Sequence, residues 1–179
     1  MEYEKLVEGD TAINFCLKDK NKNTVCLDEF KTKWRIIFFF DKSSLESSNS
    51  EILYYSKTKN DFNNLNTELI GIGPVSEKEI SQFCSEHHIQ IILLSDLDYK
   101  VSEEYGVIFF DKNEEKKILP MTFLIDKNDC LLQVWNREKM YYRYSGYGGN
   151  AIDLWEKGKM WAHISLVTDF IKLLDKKTK

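Results

Sequence analysis

Two prolines, three histidines and four cysteines are all this chain holds of the residues that most often rigidify, ligate or cross-link. Cys16, Cys26, Cys84 and Cys130 are scattered, with no Cys-x-x-Cys pair and no zinc-ligand spacing. Zinc-ribbon and dithiol-motif chemistry are thereby excluded, and in a reducing compartment the four read as thiols. Two of the histidines, His87 and His88, are neighbours, so their rings point apart on a helix and make a poor metal pair. Neither a metal nor a cofactor is expected. Basic residues are outnumbered, 25 Lys and Arg against 29 Asp and Glu, for a net charge of −4. A generic nucleic-acid surface carries the opposite sign, so no nucleic-acid partner is expected. No apolar run approaches membrane-spanning length, and Met1-Glu2-Tyr3-Glu4-Lys5 is too polar for a signal peptide. The expectation is a cytosolic protein with no membrane partner. Repeats, low-complexity stretches and interdomain linkers are missing as well, which leaves one domain over residues 1–179.

What is present is organised around Trp34 to Phe40. Ile36-Ile37-Phe38-Phe39-Phe40 is apolar without alternation, as in a central strand covered on both faces. It ends at the polar loop Asp41-Lys42-Ser43-Ser44. A helix is expected next, with Leu45, Ile52, Tyr55, Phe62 and Leu65 on its apolar side. A buried strand feeding a loop and a helix N-terminus is where α/β proteins commonly place chemistry. Before this strand, Ala12 to Leu17 and Thr24 to Leu27 flank a turn-rich link and predict an N-terminal β-hairpin. After the helix, Glu68 to Gly73 reads as a second buried strand stopped by Pro74. Ser76 with Glu79 has the form of a capping box, opening a helix whose apolar face is Ile80, Phe83, Cys84 and His87. Ile89 to Leu94 predicts a third strand, followed by a short helix from Ser95-Asp96 to Gly106. Met121 to Ile125 and Cys130 to Trp135 predict a late hairpin, and the last helix runs from about Trp161 to Lys176. The order implies an α/β fold of thioredoxin-like topology, a central mixed β-sheet flanked by helices with parallel middle strands.

Glu8-Gly9-Asp10-x-Ala12, Ile37 to Phe40, Gly71-Ile72, Phe83, Leu93-Leu94-Ser95-Asp96, Val101, Tyr105-Gly106-Val107, Thr122 to Asp126 and His163 together resemble the peroxiredoxin family. The likeness is closest to its bacterioferritin-comigratory, or Q-type, branch, and covers almost the whole chain outside 137–160. The catalytic signature of such proteins is Pro-x-x-x-Thr-x-x-Cys, with an Arg from a distant strand. Carried over, the Pro position is Asp41, the Thr position Leu45, the peroxidatic Cys position Ser48 and the Arg position Pro120. Glu51 and His163 do match. A peroxidatic thiol attacks as thiolate and becomes a sulfenic acid, whereas a serine hydroxyl has no such oxidation ladder. Leu45 offers no hydrogen bond, and Pro120 neither charge nor N–H. The resemblance therefore implies a peroxiredoxin-like protein without the peroxide-reducing centre.

Each candidate residue carries a plainer reading beside the chemical one. Ser48 is either a nucleophile or a helix cap, and both Ser43 with Glu46 and Ser48 with Glu51 fit Ser-x-x-Glu. Cys84 lies where some relatives keep a resolving cysteine, but it shares an apolar face with Ile80 and Phe83 and equally reads as a buried thiol. Cys16, Cys26 and Cys130 read as packing in strands. Pro120 stands where thioredoxin-like proteins carry a cis-proline, which predicts a cis Leu119–Pro120 peptide. The acidic stretch Asp111 to Glu115 reads as a solvated turn.

Met140 to Gly149 gathers four tyrosines, one Arg and three glycines, with a short helix expected at Ala151 to Lys157. This Tyr/Gly-rich segment, 137–158, reads as an interface or as a loop folded on its own domain. Two function classes follow. One is a binding or regulatory module for a protein or small-molecule partner, with homodimer formation open. The other is a thiol oxidoreductase acting through Cys84. Asp41, Glu51 and His163 are also candidate acid–base groups for unrelated chemistry.

Overall fold

The computed structural model describes residues 5–46, 51–136 and 160–177. The chain enters through a short hairpin, β1 (Cys16–Lys18) and β2 (Thr24–Cys26), closed by a turn in which Asp19 accepts hydrogen bonds from the backbone N–H groups of Asn21 and Asn23. A 3-10 turn over Leu27–Phe30 leads to β3 (Trp34–Phe39). A second 3-10 turn, Lys42–Leu45, precedes α1 (Glu51–Asn64). Then come β4 (Thr67–Gly73), α2 (Glu77–His87), β5 (Ile92–Ser95) and α3 (Lys100–Glu104). Where the sequence predicts only a solvated turn at Asp111 to Glu115, two short strands, β6 (Ile108–Phe110) and β7 (Lys116–Ile118), pair on either side of it. The hairpin β8 (Met121–Ile125) and β9 (Leu131–Asn136) follows, and α4 (Met160–Lys177) ends the described chain.

The main sheet has seven strands in the order β2-β1-β5-β4-β3-β8-β9. β3, β4 and β5 are parallel, while β8, β9, β1 and β2 join antiparallel. This is the mixed sheet with parallel middle strands that the apolar runs imply. Every residue of β3 and of β4 is buried, the state expected of strands covered on both faces. On β3 the side chains alternate between two cores. Ile36, Phe38 and Phe40 join the cluster holding α1, α2 and α4, through Tyr55, Ile80 and Val167. Ile37 and Phe39 join the cluster holding Phe15, Val101, Tyr105 and Ile118. The crossovers from β3 to β4 and from β4 to β5 step the same way across the sheet, so α1 and α2 share one face. Burying one such side chain contributes about 1.5–3 kcal/mol, which makes β3 the chief anchor of both cores.

Among the described residues Arg35 and Asp96 are charged residue types with fully buried side chains. Arg35 on β3 donates from Nη1 to Asp129 Oδ1 at 2.6 Å and from Nη2 to the Asp126 carbonyl, while its Nε has no partner. Burial pushes the Asp129 carboxyl up, but the Arg35 hydrogen bond and charge, with Lys31, outweigh it and hold the group below its usual range. This pair fastens the β8–β9 turn to the start of β3, the end of the strand away from Asp41.

Two helix expectations need correction. Leu45 packs against the core but belongs to the 3-10 turn, not to α1. His87, placed on the apolar face of α2 by spacing, is exposed and only leans its ring on Phe83, with centroids 4.6 Å apart. The helix ends there because His88 takes the left-handed conformation, φ 52°, at the C-cap. The helix expected at Ala151 to Lys157 lies outside the described residues.

Candidate functional site

The C-terminal end of β3 is where the sequence places the chemistry, and its local structure is set by hydrogen bonds. The Phe40 N–H donates to the Ile72 carbonyl at 3.0 Å, after which the chain leaves the sheet. Asp41 has extended backbone and its carboxylate accepts from the Lys42 N–H at 2.7 Å, so it caps the 3-10 turn. The expectation that Ser43 caps with Glu46 is overturned. Ser43 lies inside the turn and its carbonyl accepts from the Glu46 N–H at 3.1 Å. Asp41 has the shorter reach to the first free N–H, and so takes the cap.

A second tie holds this turn to α2. Lys42 Nζ lies 2.7 Å from Glu79 Oε1. The other carboxylate oxygen of Glu79 accepts from the Ser76 N–H at 2.9 Å and from Ser76 Oγ at 2.7 Å. Ser76 Oγ in turn accepts from the Glu79 N–H, completing the capping box that Ser76-x-x-Glu79 predicts. The Lys42 hydrogen bond, then the Ser76 donors, hold the Glu79 carboxyl down at about 2. Nothing in the local spacing had pointed to Lys42, because the contact spans two elements.

On the sheet side, Glu51 opens α1 and is only 3% exposed. Its Oε1 lies 3.4 Å from the hydroxyl of Thr122, a fully buried residue of β8. That separation is long for a hydroxyl–carboxylate bond. Thr122 sits opposite Phe38 on one side and Trp135 on the other. Pro120 precedes this strand by one residue and is half-buried. Its peptide with Leu119 is trans, not cis. The two isomers of an X–Pro bond differ by only about 0.5–1 kcal/mol in favour of trans, so sequence position alone could not decide between them. The Leu119 N–H is already committed to the Val107 carbonyl at 2.7 Å. Close by, the Lys117 ammonium is raised above its usual range, first by its hydrogen bond to Glu115 and its charge, with Asp41 and Asp111 adding to the effect. With Phe38 opposite Thr122, the antiparallel register of β3 and β8 brings Pro120 level with Phe40, next to the Asp41 turn.

Of the other candidates, Cys84 is buried on α2 beside Ile80 and Phe83. Burial pushes its thiol up, against a smaller opposing effect of Lys20. Ser48 and the Tyr-rich segment 137–158 lie outside the described residues. His163 falls within α4, at a position whose side chain also lies outside them. Among the described residues, then, the β3 end gathers Asp41, Glu51, Thr122 and Pro120, and leaves Cys84 inside the helical core. Such a set can hold a proton or accept hydrogen bonds. Its proline offers an incoming oxygen neither charge nor N–H.

The reading of all four cysteines as thiols is also overturned. Cys16 and Cys26 form a disulfide across the β1–β2 hairpin, with Cα atoms 4.1 Å apart. They are directly opposed in register, beside Leu17–Val25 and Lys18–Thr24. The Leu27 N–H donates to the Phe15 carbonyl one step further along, which makes Cys16–Cys26 a non-hydrogen-bonded pair, the closest kind across an antiparallel ladder. Folding the predicted hairpin symmetrically about residues 18–23 would oppose Cys16 to Val25; with Lys18 paired to Thr24 the turn is one residue shorter, and Cys16 faces Cys26. Cys130, by contrast, is half-buried at the β8–β9 turn, far along the sheet from Asp41.

Residues 8–134 match the AhpC/TSA family. Peroxiredoxin Bcp of Bacillus subtilis is 28% identical over 135 residues, covering 74% of this chain and 86% of that protein. The protein named putative peroxiredoxin bcp in Haemophilus influenzae is 27% identical over 140 residues, covering 74% and 87%. A solved structure of peroxiredoxin Q from Xanthomonas campestris superposes with a TM-score of 0.69 at 18% identity, over 89% of this chain and 90% of that one. The mitochondrial 2-Cys peroxiredoxin of Plasmodium falciparum gives 0.70 at 21% identity, over 97% and 98%. The structural likenesses carry the thioredoxin-like fold, and the family match spans well over half the sequence. The chain belongs to the AhpC/TSA family.

Proposed function

We propose that this chain is a peroxiredoxin-like protein whose peroxide-reducing centre has been dismantled, leaving a binding or regulatory module on the thioredoxin-like scaffold. The observation that supports it most directly is the chemistry gathered at the end of β3. A peroxidatic thiolate needs hydrogen-bond donors and positive charge aimed at it. Pro120, at the position corresponding to the family's Arg, contributes neither, and the nearest buried ionisable group on α1 is the carboxylate of Glu51. Asp41 adds a second carboxylate at the turn. Ser48, at the position of the reactive Cys, cannot enter the sulfenic-acid cycle. The partner is taken to be a protein or small molecule met by the serine loop and the Tyr/Gly-rich segment 137–158.

The competing reading, a thiol-dependent antioxidant oxidoreductase working through Cys84, loses ground on burial. A thiol 5% exposed in an apolar cluster, with its acidity weakened, presents little thiolate to a peroxide. The discriminating experiment is titration of the purified protein with hydrogen peroxide and with an organic hydroperoxide, read by intact mass after thiol alkylation. On our reading Cys84 and Cys130 oxidise no faster than a free thiol. Rapid oxidation of Cys84, reversed by a dithiol, would overturn it in favour of the oxidoreductase.

A further inference from the structure

The cysteines that the fold brings together are not those of the family's reactive loop. We propose that Cys16–Cys26 is a reversible thiol–disulfide exchange site, reduced by dithiol proteins and re-formed by low-molecular-weight disulfides.

Three observations carry this. First, access: Cys16 is exposed and Cys26 half-buried, on an edge hairpin of the main sheet. Cys16 lies on the wall of an open groove of about 530 Å³, whose other lining includes Leu17, Lys18, Ser95 and Leu97. Leu97 is 60% exposed there, so a partner's thiol can approach over an apolar as well as a polar surface. Second, redundancy: neither cysteine belongs to the two hydrophobic clusters. The hairpin they bridge is already closed by its ladder, by the Asp19 turn and by the Lys18 to Thr24 hydrogen bond of 2.6 Å. Breaking the bond therefore leaves the core intact and the two sulfurs still facing each other, ready to re-form it. Third, register: the pairing follows from the ladder and needs no movement of the scaffold. In reducing compartments the disulfides that do form are usually transient, serving redox sensing or catalysis.

The exchange balances as follows. A thiolate of the reductant attacks Sγ of Cys16, the more exposed residue; a mixed disulfide forms, the Cys16–Cys26 bond breaks, and Cys26 leaves as thiolate and takes up a proton. The reductant's second thiol loses its proton and attacks its own sulfur in the mixed disulfide. This releases Cys16 as a thiol and leaves the reductant as a disulfide, two electrons having passed to this chain. In the reverse direction one molecule of glutathione disulfide accepts those two electrons and departs as two molecules of glutathione.

The test uses the whole chain in native buffer, equilibrated in series of reduced and oxidised dithiothreitol and of glutathione with its disulfide. Samples are acid-quenched, alkylated, and read by intact mass and peptide mapping. Cys16 and Cys26 are expected to gain label together, passing from about nine-tenths oxidised to one-tenth over a roughly hundredfold change in the dithiothreitol ratio. The reduced protein should keep its circular dichroism spectrum. In Cys26→Ser, glutathione disulfide should modify Cys16 at least roughly tenfold faster than the buried Cys84 in the same molecule. A bond that yields only when denaturant is added would make the pair structural and overturn the proposal. So would thiols that stay reduced in glutathione disulfide, or an adduct that forms first on Cys84. The wild-type titration decides the matter by itself if the variant does not fold.

Discussion

Gly71 shows how a single absent side chain sets the spacing of the sheet. It stands between Phe38 of β3 and Leu93 of β5 in register. A Cβ built there would lie 2.6 Å from Phe38 Cζ and 2.7 Å from Leu93 Cδ2, inside any permitted contact. Phe38 cannot swing aside, because it is fully buried and stacked on Tyr55 with centroids 4.7 Å apart. Gly73 meets the same limit against Phe40, at 2.4 Å. Gly71→Ala should therefore destabilise the protein by about 1–3 kcal/mol, as overpacking of a filled core does. The measurement is the urea midpoint at unchanged slope. Phe38→Leu in the Gly71→Ala background should recover part of the loss, a coupling expected only of residues in contact. A Gly71→Ala protein as stable as the parent would show that the ring has room to move. The same scale explains why Arg35 can be buried: its charge is answered by Asp129 at 2.6 Å and by the Asp126 carbonyl, without which the desolvation cost would not be met.

Among the elements, α2 carries the clearest link between sequence and behaviour. Its capping box was legible because Ser76-x-x-Glu79 is a local pattern, whereas the bond from Lys42 to the same carboxylate joins residues 37 positions apart. Glu79 sits at about 2 in the folded protein against an ordinary 4.5. A depressed carboxyl contributes stability that is fully present above its unfolded value and lost as pH falls toward the folded one. The tie between the Asp41 turn and α2 should accordingly weaken between about pH 4.5 and 2. Because the Glu79 side chain is 36% exposed, the contribution is screened and amounts to about 1 kcal/mol. Glu79→Gln should lower the melting temperature near neutral pH, and the gap to the parent should narrow on acidification. A gap that stays constant with pH would mean that the ionised carboxylate adds nothing. The same contrast between local and distant contacts governs the other elements. β3, β4 and β5 were legible from unbroken apolar runs. β6 and β7 were not, because three-residue strands carry no period. Asp41 and Ser43 compete for one turn with equal local credentials, and only the extended backbone at Asp41 decides for it. Cys16 and Cys26 were visible as strand residues, but the register that opposes them depends on where the hairpin turns.

For the molecule as a whole, a scaffold shared with peroxiredoxins does not by itself supply their chemistry, and on the proposed reading the substituted positions are divided between the turn after β3 and the approach to β8. Asp41 caps a turn, Leu45 packs into the helical core, and Pro120 leads into β8. Restoring one of them should not restore the function, since a cysteine is reactive only as thiolate and the thiolate needs donors. On the proposed reading the thiol of Ser48→Cys gains neither a hydrogen bond from the Leu45 side chain nor a positive charge from Pro120. Its peroxide rate should therefore match that of an unassisted thiol. Adding Leu45→Thr and Pro120→Arg supplies a hydroxyl and a guanidinium. Since each well-placed donor is worth about 10²–10³ in rate, the triple variant should exceed Ser48→Cys by at least roughly a hundredfold in stopped-flow peroxide reduction. Rapid turnover by Ser48→Cys alone would mean that the remaining residues still form a working centre, and the dismantled-site reading would fall. Equal, slow rates in both variants would show instead that β8 no longer presents residue 120 to the loop.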